Sequence, residues 1–321
     1  MSNKTIAKYC AFVICFTPAL LIFSACSIKR SDTSTSGSQR YSPPVITGNL
    51  SNPEITESSG LAASKCQPNV YWTHNDSGDD AFIYAINRSG GRLGTWRVIG
   101  ASNVDWEDIA LFKDSQGNCT IYIAEIGDNS NKRSEHIIYR LSEPTVTPAD
   151  ADSSRQQPRE TGRAQEVRFS YPDSNPNAET LLVEPKTANI YVVTKRLTGP
   201  AGVYRIRSEY GTDQVVKAEK IADISLPAIP NGLVTGGAVS PDGRSVVICD
   251  YSRAYELTLP DNSKNFDDIW EQQPETIDVG KRKIGEAVTY TPDGLSLILT
   301  SEGDETPVIE VKRKPVQQDR Q

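Results

Sequence analysis

Four glutamates recur at nearly the same place in a repeated pattern: Glu57 in TESSG, Glu107 in DWED, Glu179 in NAET and Glu286 in GEAV, with Asp108 beside the second. A second family of polar segments recurs about fifteen residues later. It comprises HNDSGDD (His74, Asp76), EIGDN (Asp128), TKR (Lys195, Arg196), CDY (Asp250) and SEGDE (Glu302). Carboxylates that converge in a narrow space repel one another, and they stay ionised only beside a cation or a basic partner. All-oxygen ligand sets suit Ca²⁺. Glu57, Glu107, Asp108, Glu179 and Glu286 are therefore the candidate cation ligands. His74, Asp76, Asp128, Lys195, Arg196, Asp250 and Glu302 are the candidate ligand contacts. Lys195 and Arg196 are the basic pair that could grip an anion.

Other chemistries leave no trace. The chain has 2 histidines, His74 and His136, and lacks the GxSxG turn, HExxH, the phosphate-binding loop and the dinucleotide fingerprint. Trp106, between Asp105 and Glu107, reads as a packing residue rather than a stacking platform.

What positions these residues is a repeat. Five segments share one plan: an apolar strand, a polar stretch, a short strand, a tight turn, a strongly apolar strand, a polar loop and a final strand. The turns KDSQGN, EPKTAN, SPDGR and TPDGL carry the Gly, Asn, Asp and Pro that hairpins need. The middle of the first inner strand recurs at Gly60, Ile109, Leu181, Ala238 and Ala287, in steps of 49, 72, 57 and 49 by subtraction. Four strands per unit at this period predict an all-β single β-propeller of four-stranded blades. Five blades are expected, or six if the insert Pro144 to Glu166 hides strands; otherwise that insert is a surface loop between blades two and three. The strand at Val45 to Leu50 precedes the first complete unit and the chain ends after a third strand, so the N-terminal strand should close the ring and remove a sheet edge. Entry loops of the inner strands and loops after the second strands then share one face, which puts the acidic residues around one mouth of the central channel.

The N-terminus reads as an export signal. Lys4 and Lys8 precede an apolar run from Tyr9 to Phe23, then come Ser24, Ala25 and Cys26. The run is shorter than the roughly 20 residues of a membrane span. FSAC resembles a lipobox, which implies cleavage before Cys26 and lipidation of that cysteine. Ser27 is compatible with outer-membrane sorting. Residues 1–25 are thus the signal peptide, 26–44 a Ser/Thr-rich flexible tether, and 45–321 the propeller. Export permits disulfides, and the repeat places Cys66 and Cys119 in equivalent turns of neighbouring units, so they are the expected bridge. Cys249, in SVVIC, reads as a buried hydrophobe. The formal charge is −7, and about −9 without Lys4 and Lys8. An acidic chain argues against nucleic acid as a partner.

The segments ESSGLAAS, VYWTHNDSGD, DWEDIAL and YIAEIGDN together resemble a bacterial family of uncharacterised exported lipoproteins described as propeller-like or WD40-like. No blade ends in the WD dipeptide of the strict WD40 repeat. The inner-strand acidic pattern is similar, more loosely and only in part, to phytase-like esterase propellers. That resemblance implies calcium in an acidic channel that holds phosphate and activates water. The leading expectation is a lipid-anchored envelope propeller that binds a small anionic ligand or an envelope protein at a Ca²⁺-stabilised mouth. The alternatives are a Ca²⁺-dependent phosphoesterase, with His74 in proton transfer, and an envelope scaffold.

Overall fold

In the computed structural model, residues 40–209 and 214–315 are described; the signal sequence and the lipobox around Cys26 lie outside them. The described residues form five sheets, each built on four antiparallel strands, two of them extended by a short parallel strand. Strand β1 (Val45–Asn49) comes first but belongs to the last sheet. Blade one is β2 (Ser58–Ala63), β3 (Tyr71–Asn75), β4 (Phe82–Ile86) and β5 (Arg92–Arg97). Blade two is β6 (Trp106–Lys113), β7 (Cys119–Glu125), β8 (His136–Ser142) and, after an insert carrying β9 (Arg159–Glu160), β10 (Gln165–Ser170). Blade three is β11 (Ala178–Val183), β12 (Ile190–Thr194), β13 (Ala201–Ile206) and, past the short β14 (Val216–Lys217), β15 (Glu219–Ile224). Blade four is β16 (Gly236–Val239), β17 (Ser245–Cys249), β18 (Ala254–Thr258) and β19 (Glu275–Ile277). Blade five is β20 (Gly285–Tyr290), β21 (Ser296–Ser301) and β22 (Pro307–Lys312), completed by β1.

The innermost strands β2, β6, β11, β16 and β20 touch in sequence and close a ring, β20 against β2. This is a five-bladed propeller. Its second strands read as near-continuous apolar runs, such as IYVVT and SVVIC, because both faces are covered by neighbouring blades. Accordingly the core is five clusters, each filling the gap between two adjacent blades. Between blades one and two lie Trp72, Trp96, Trp106, Ile123 and Tyr139; Trp106 is fully buried, a packing residue as its sequence context suggests.

The predicted turns hold. Gly117, Gly243 and Gly294 take positive φ in KDSQGN, SPDGR and TPDGL, where a side chain would be strained. In EPKTAN that conformation falls on Ala188, at φ 59°. Cys66 and Cys119 form the disulfide, tying the ends of blades one and two together.

Closure goes further than β1 pairing with β22. Glu256, on β18 of blade four, is buried and receives the hydroxyls of Tyr41 at 2.7 Å and Tyr290 at 2.8 Å. Arg313 donates to the same oxygen, and Arg40 stands 3.4 Å from the other. Arg40 and Tyr41 precede β1, and Arg313 follows β22, so one carboxylate gathers both ends of the domain. Packed structure therefore reaches back into the segment expected to be tether.

The insert corrects an expectation. It joins the third and fourth strands of blade two, rather than bridging blades two and three, and it packs on blade one. β9 pairs with β5, and Arg155 reaches Asp79 at 3.0 Å, the Glu54 carbonyl at 2.5 Å and the Tyr84 hydroxyl at 2.8 Å. The blade-one edge offers these acceptors, which lie far away in sequence.

Candidate functional site

Each inner strand enters the ring at the same end. Four of the five carry a register irregularity there, leaving one residue unpaired: Ser59 on β2, Glu107 on β6, Glu179 on β11 and Glu286 on β20. A bulge re-aims the side chain it contains. Three bulged residues are thus glutamates drawn toward one mouth of the channel, and all three are almost wholly buried. In blade four Gly236 occupies the corresponding stretch; a Cβ there would lie 2.0 Å from the carbonyl oxygen of Glu286.

The mouth is crowded with negative charge. Asp76 follows β3, Asp105 precedes β6, and Glu107 lies on it. A carboxylate oxygen from each falls within 4.8 Å of the others. Burial comes first in raising the Glu107 carboxyl, followed by its neighbours Glu179, Asp76 and Asp105. Asp76 is pushed up to about 7, by burial first and then by Asp105, Glu179 and Glu302. One Asp76 oxygen is buried with no hydrogen-bond partner. Asp105 is also raised, by burial and then by Glu125 and Glu179.

The scaffold around this notch is made of backbone-directed polar groups. Glu125, the last residue of β7, accepts from the amides of Val104 at 2.8 Å and Asp105 at 3.1 Å and from Arg133 at 2.6 Å. Asn103 donates to the carbonyl of Asp76 at 2.7 Å and accepts from the amide of Trp106 at 3.1 Å. Gly127 closes the notch: a Cβ there would lie 2.2 Å from a Glu107 oxygen.

Across the channel, Glu286 is pushed up to about 10, by burial and then by its hydrogen bond to and repulsion from Glu302. Glu57 faces Glu302 through an isolated bridge and is raised by burial, Glu302 and Asp79. Lys195 donates to Glu179 at 2.9 Å. Burial works against its ammonium, but Glu179 and Tyr251 outweigh that and hold it charged. Beyond Lys195 opens a cleft of about 680 Å³ lined by Asn129, Asn175, Lys195, Arg196, Thr198 and Tyr251, among others.

Several expected site residues stand elsewhere. Asp108 points away from the mouth and is fully enclosed. It accepts from the amides of Ile109 at 2.8 Å and Leu181 at 2.9 Å, and from that of Gly237, so it joins the inner strands of blades two, three and four. That makes it a channel-spanning brace rather than a cation ligand. His74 is completely buried, edge-on to Trp106, with Nδ1 2.9 Å from the carbonyl of Asn75. Burial lowers it to about 4, so it is neutral and withdrawn from solvent, which removes it from proton transfer. Asp128 and Asp250 cap their own loops. The first accepts from the amide of Arg133 at 2.7 Å, the second from the amide of Arg253 at 2.7 Å and the hydroxyl of Tyr255 at 2.6 Å. Both are turn acids, as Asp residues in tight loops commonly are. Arg196 is exposed at the cleft.

Asp105, the first residue of DWED, joins the notch without having been among the expected cation ligands. The signal that could have found it is its spacing, two before a bulged glutamate. The role of Glu125 in holding it had no such signal.

No protein-family model matches the chain, and no curated protein aligns with it. Among solved structures, a gluconolactonase from Xanthomonas campestris is similar at 13% identity and a TM-score of 0.43, covering 85% of this chain and 95% of that one.

Proposed function

We propose that the acidic mouth is a divalent-cation site, with Ca²⁺ the expected ion, and that the cation with Lys195 and Arg196 binds a small anionic ligand in the adjoining cleft. The observation that carries this reading is the notch of Asp76, Asp105 and Glu107, whose oxygens are close enough to share one ion at roughly 2.4 Å each. A partnerless buried carboxylate oxygen on Asp76 supports it, because such groups are costly unless something satisfies them. The Lys195 ammonium at the rim is already committed to Glu179. Glu179 lies beside Glu107 and ties the notch to the cleft.

A bound cation with an open position beside a basic side chain would also polarise an ester or phosphoester. Hydrolysis of an anionic substrate is the second reading, favoured by the position of the notch at the solvent end of the channel rather than within it. We further propose that the domain is exported and lipid-anchored through Cys26 at the outer membrane, as in the lipoprotein family it resembles. The Cys66–Cys119 bridge supports export, since such bonds persist in oxidising compartments.

Calorimetry on the full chain tests the site. Wild type should take up calcium, and Asp105→Asn and Glu107→Gln should lose it. If wild type binds no calcium, magnesium or manganese at millimolar concentrations, the proposal fails and the acidic mouth is only a polar surface. Anchoring is tested by incorporation of labelled palmitate, which Cys26→Ser should abolish.

A further inference from the structure

The opposite end of the channel has a different chemistry. The later residues of all five inner strands enclose a small cavity of about 40 Å³, among them Leu61, Leu111, Val183 and Val239. Lys65, two residues beyond the end of β2, is the single charged side chain lining it. Its amine has no ion pair or hydrogen bond among the described residues. The charged neighbour of this segment is Lys113, whose ammonium donates to the Lys65 carbonyl at 3.2 Å. No carboxylate lines the cavity.

We propose that Lys65 is a carbonyl-capture site, at which its amine forms an imine with a small aldehyde entering the apolar mouth of the channel. The amine lone pair attacks the carbonyl carbon; the nitrogen's two protons leave with the carbonyl oxygen as water, and a C=N bond replaces C=O. No oxidant or reductant is needed. An amine reacts only when neutral, and an apolar enclosure without a counter-charge favours that form. Burial lowers Lys65 to about 8, against the usual 10.5 of a lysine. Near pH 7 its neutral fraction therefore exceeds that of an exposed lysine by two orders of magnitude or more. Lower basicity gives part of this back as reduced nucleophilicity, leaving an advantage on the order of tenfold. The residue is half-buried rather than sealed in the core.

The experiment is reductive trapping on the full chain with limiting acetaldehyde and cyanoborohydride, read by peptide mass spectrometry at every lysine. At pH 7 Lys65 should be ethylated on the order of tenfold faster than the exposed Lys186 and Lys264, with the advantage vanishing toward pH 10. Lys65→Arg should keep the fold and the charge and remove the fast site. Ethylation of Lys65 no faster than that of Lys186 and Lys264 at pH 7 overturns the proposal. So does a fast site that persists in Lys65→Arg.

Discussion

Two buried acidic centres occupy the same fold and teach opposite lessons. Glu256 has one oxygen bonded by Tyr41, Tyr290 and Arg313, and the Arg40 guanidinium stands 3.4 Å from the other as an ion pair. The mouth gathers Asp76, Asp105, Glu107, Glu179, Glu286 and Glu302, and the Lys195 ammonium bonds Glu179 among them. A carboxylate paired with the chain's own guanidinium and hydroxyl groups is a fastener. On the function proposed above, carboxylates that the chain crowds together with few cations are held for an ion that arrives from outside.

The largest test of that contrast removes the fastener. Glu256→Ala should cost about 3–5 kcal/mol, because it strands Arg313 and two tyrosine hydroxyls where both chain ends meet. Denaturant unfolding measures it, and a loss below about 1 kcal/mol would make Glu256 no more than a bystander. Calcium is the next largest lever. At a hundredfold excess over its Kd it should add about 2.7 kcal/mol to wild type and raise the melting temperature. It should add nothing to Glu107→Gln, and an equal gain in both would move the ion away from the notch.

Third comes Glu286→Gln with chelator present. The Glu286 carboxyl is raised to about 10 in the fold and should titrate near 4.3 in the unfolded chain. The folded state therefore holds an extra proton throughout that window, and its contribution to stability is lost as pH rises. Gln needs no proton, so the variant should gain on wild type as pH rises, its advantage at pH 8 being several times that at pH 5. Thermal melts at both pH values decide it, and a gain that does not change with pH would leave the repulsion unproven. The smallest effect lies outside both centres. Ala188→Gly should stabilise by up to about 1 kcal/mol, since it relieves the left-handed backbone at that turn. It serves as a control that leaves calcium uptake unchanged.

The fold was more legible than the site, for a physical reason. Strand count per blade, the Cys66–Cys119 bridge and ring closure by β1 follow from a repeat whose units cannot bury their faces alone, while the choice of five blades over six waited on where the insert packs. Alternation and turn chemistry are local properties, so TPDGL announces its hairpin without reference to anything distant. The acidic recurrence also showed which face the glutamates share. It could not separate Glu107 from its neighbour Asp108. One bulge aims the first at the mouth and leaves the second facing the amides of Leu181 and Gly237.

The sequence by itself determined that similar four-stranded units would close into a ring with carboxylates at one end, because periodicity, turns and charge are written along the chain. Only the tertiary structure decided which of those carboxylates find partners. Asp108, Asp128, Asp250 and Glu256 meet backbone amides, hydroxyls or guanidinium groups brought by folding, while Asp76, Asp105 and Glu107 meet mostly each other. Partnership depends on which distant atoms arrive within about 3 Å, and that is a property of packing rather than of residue order.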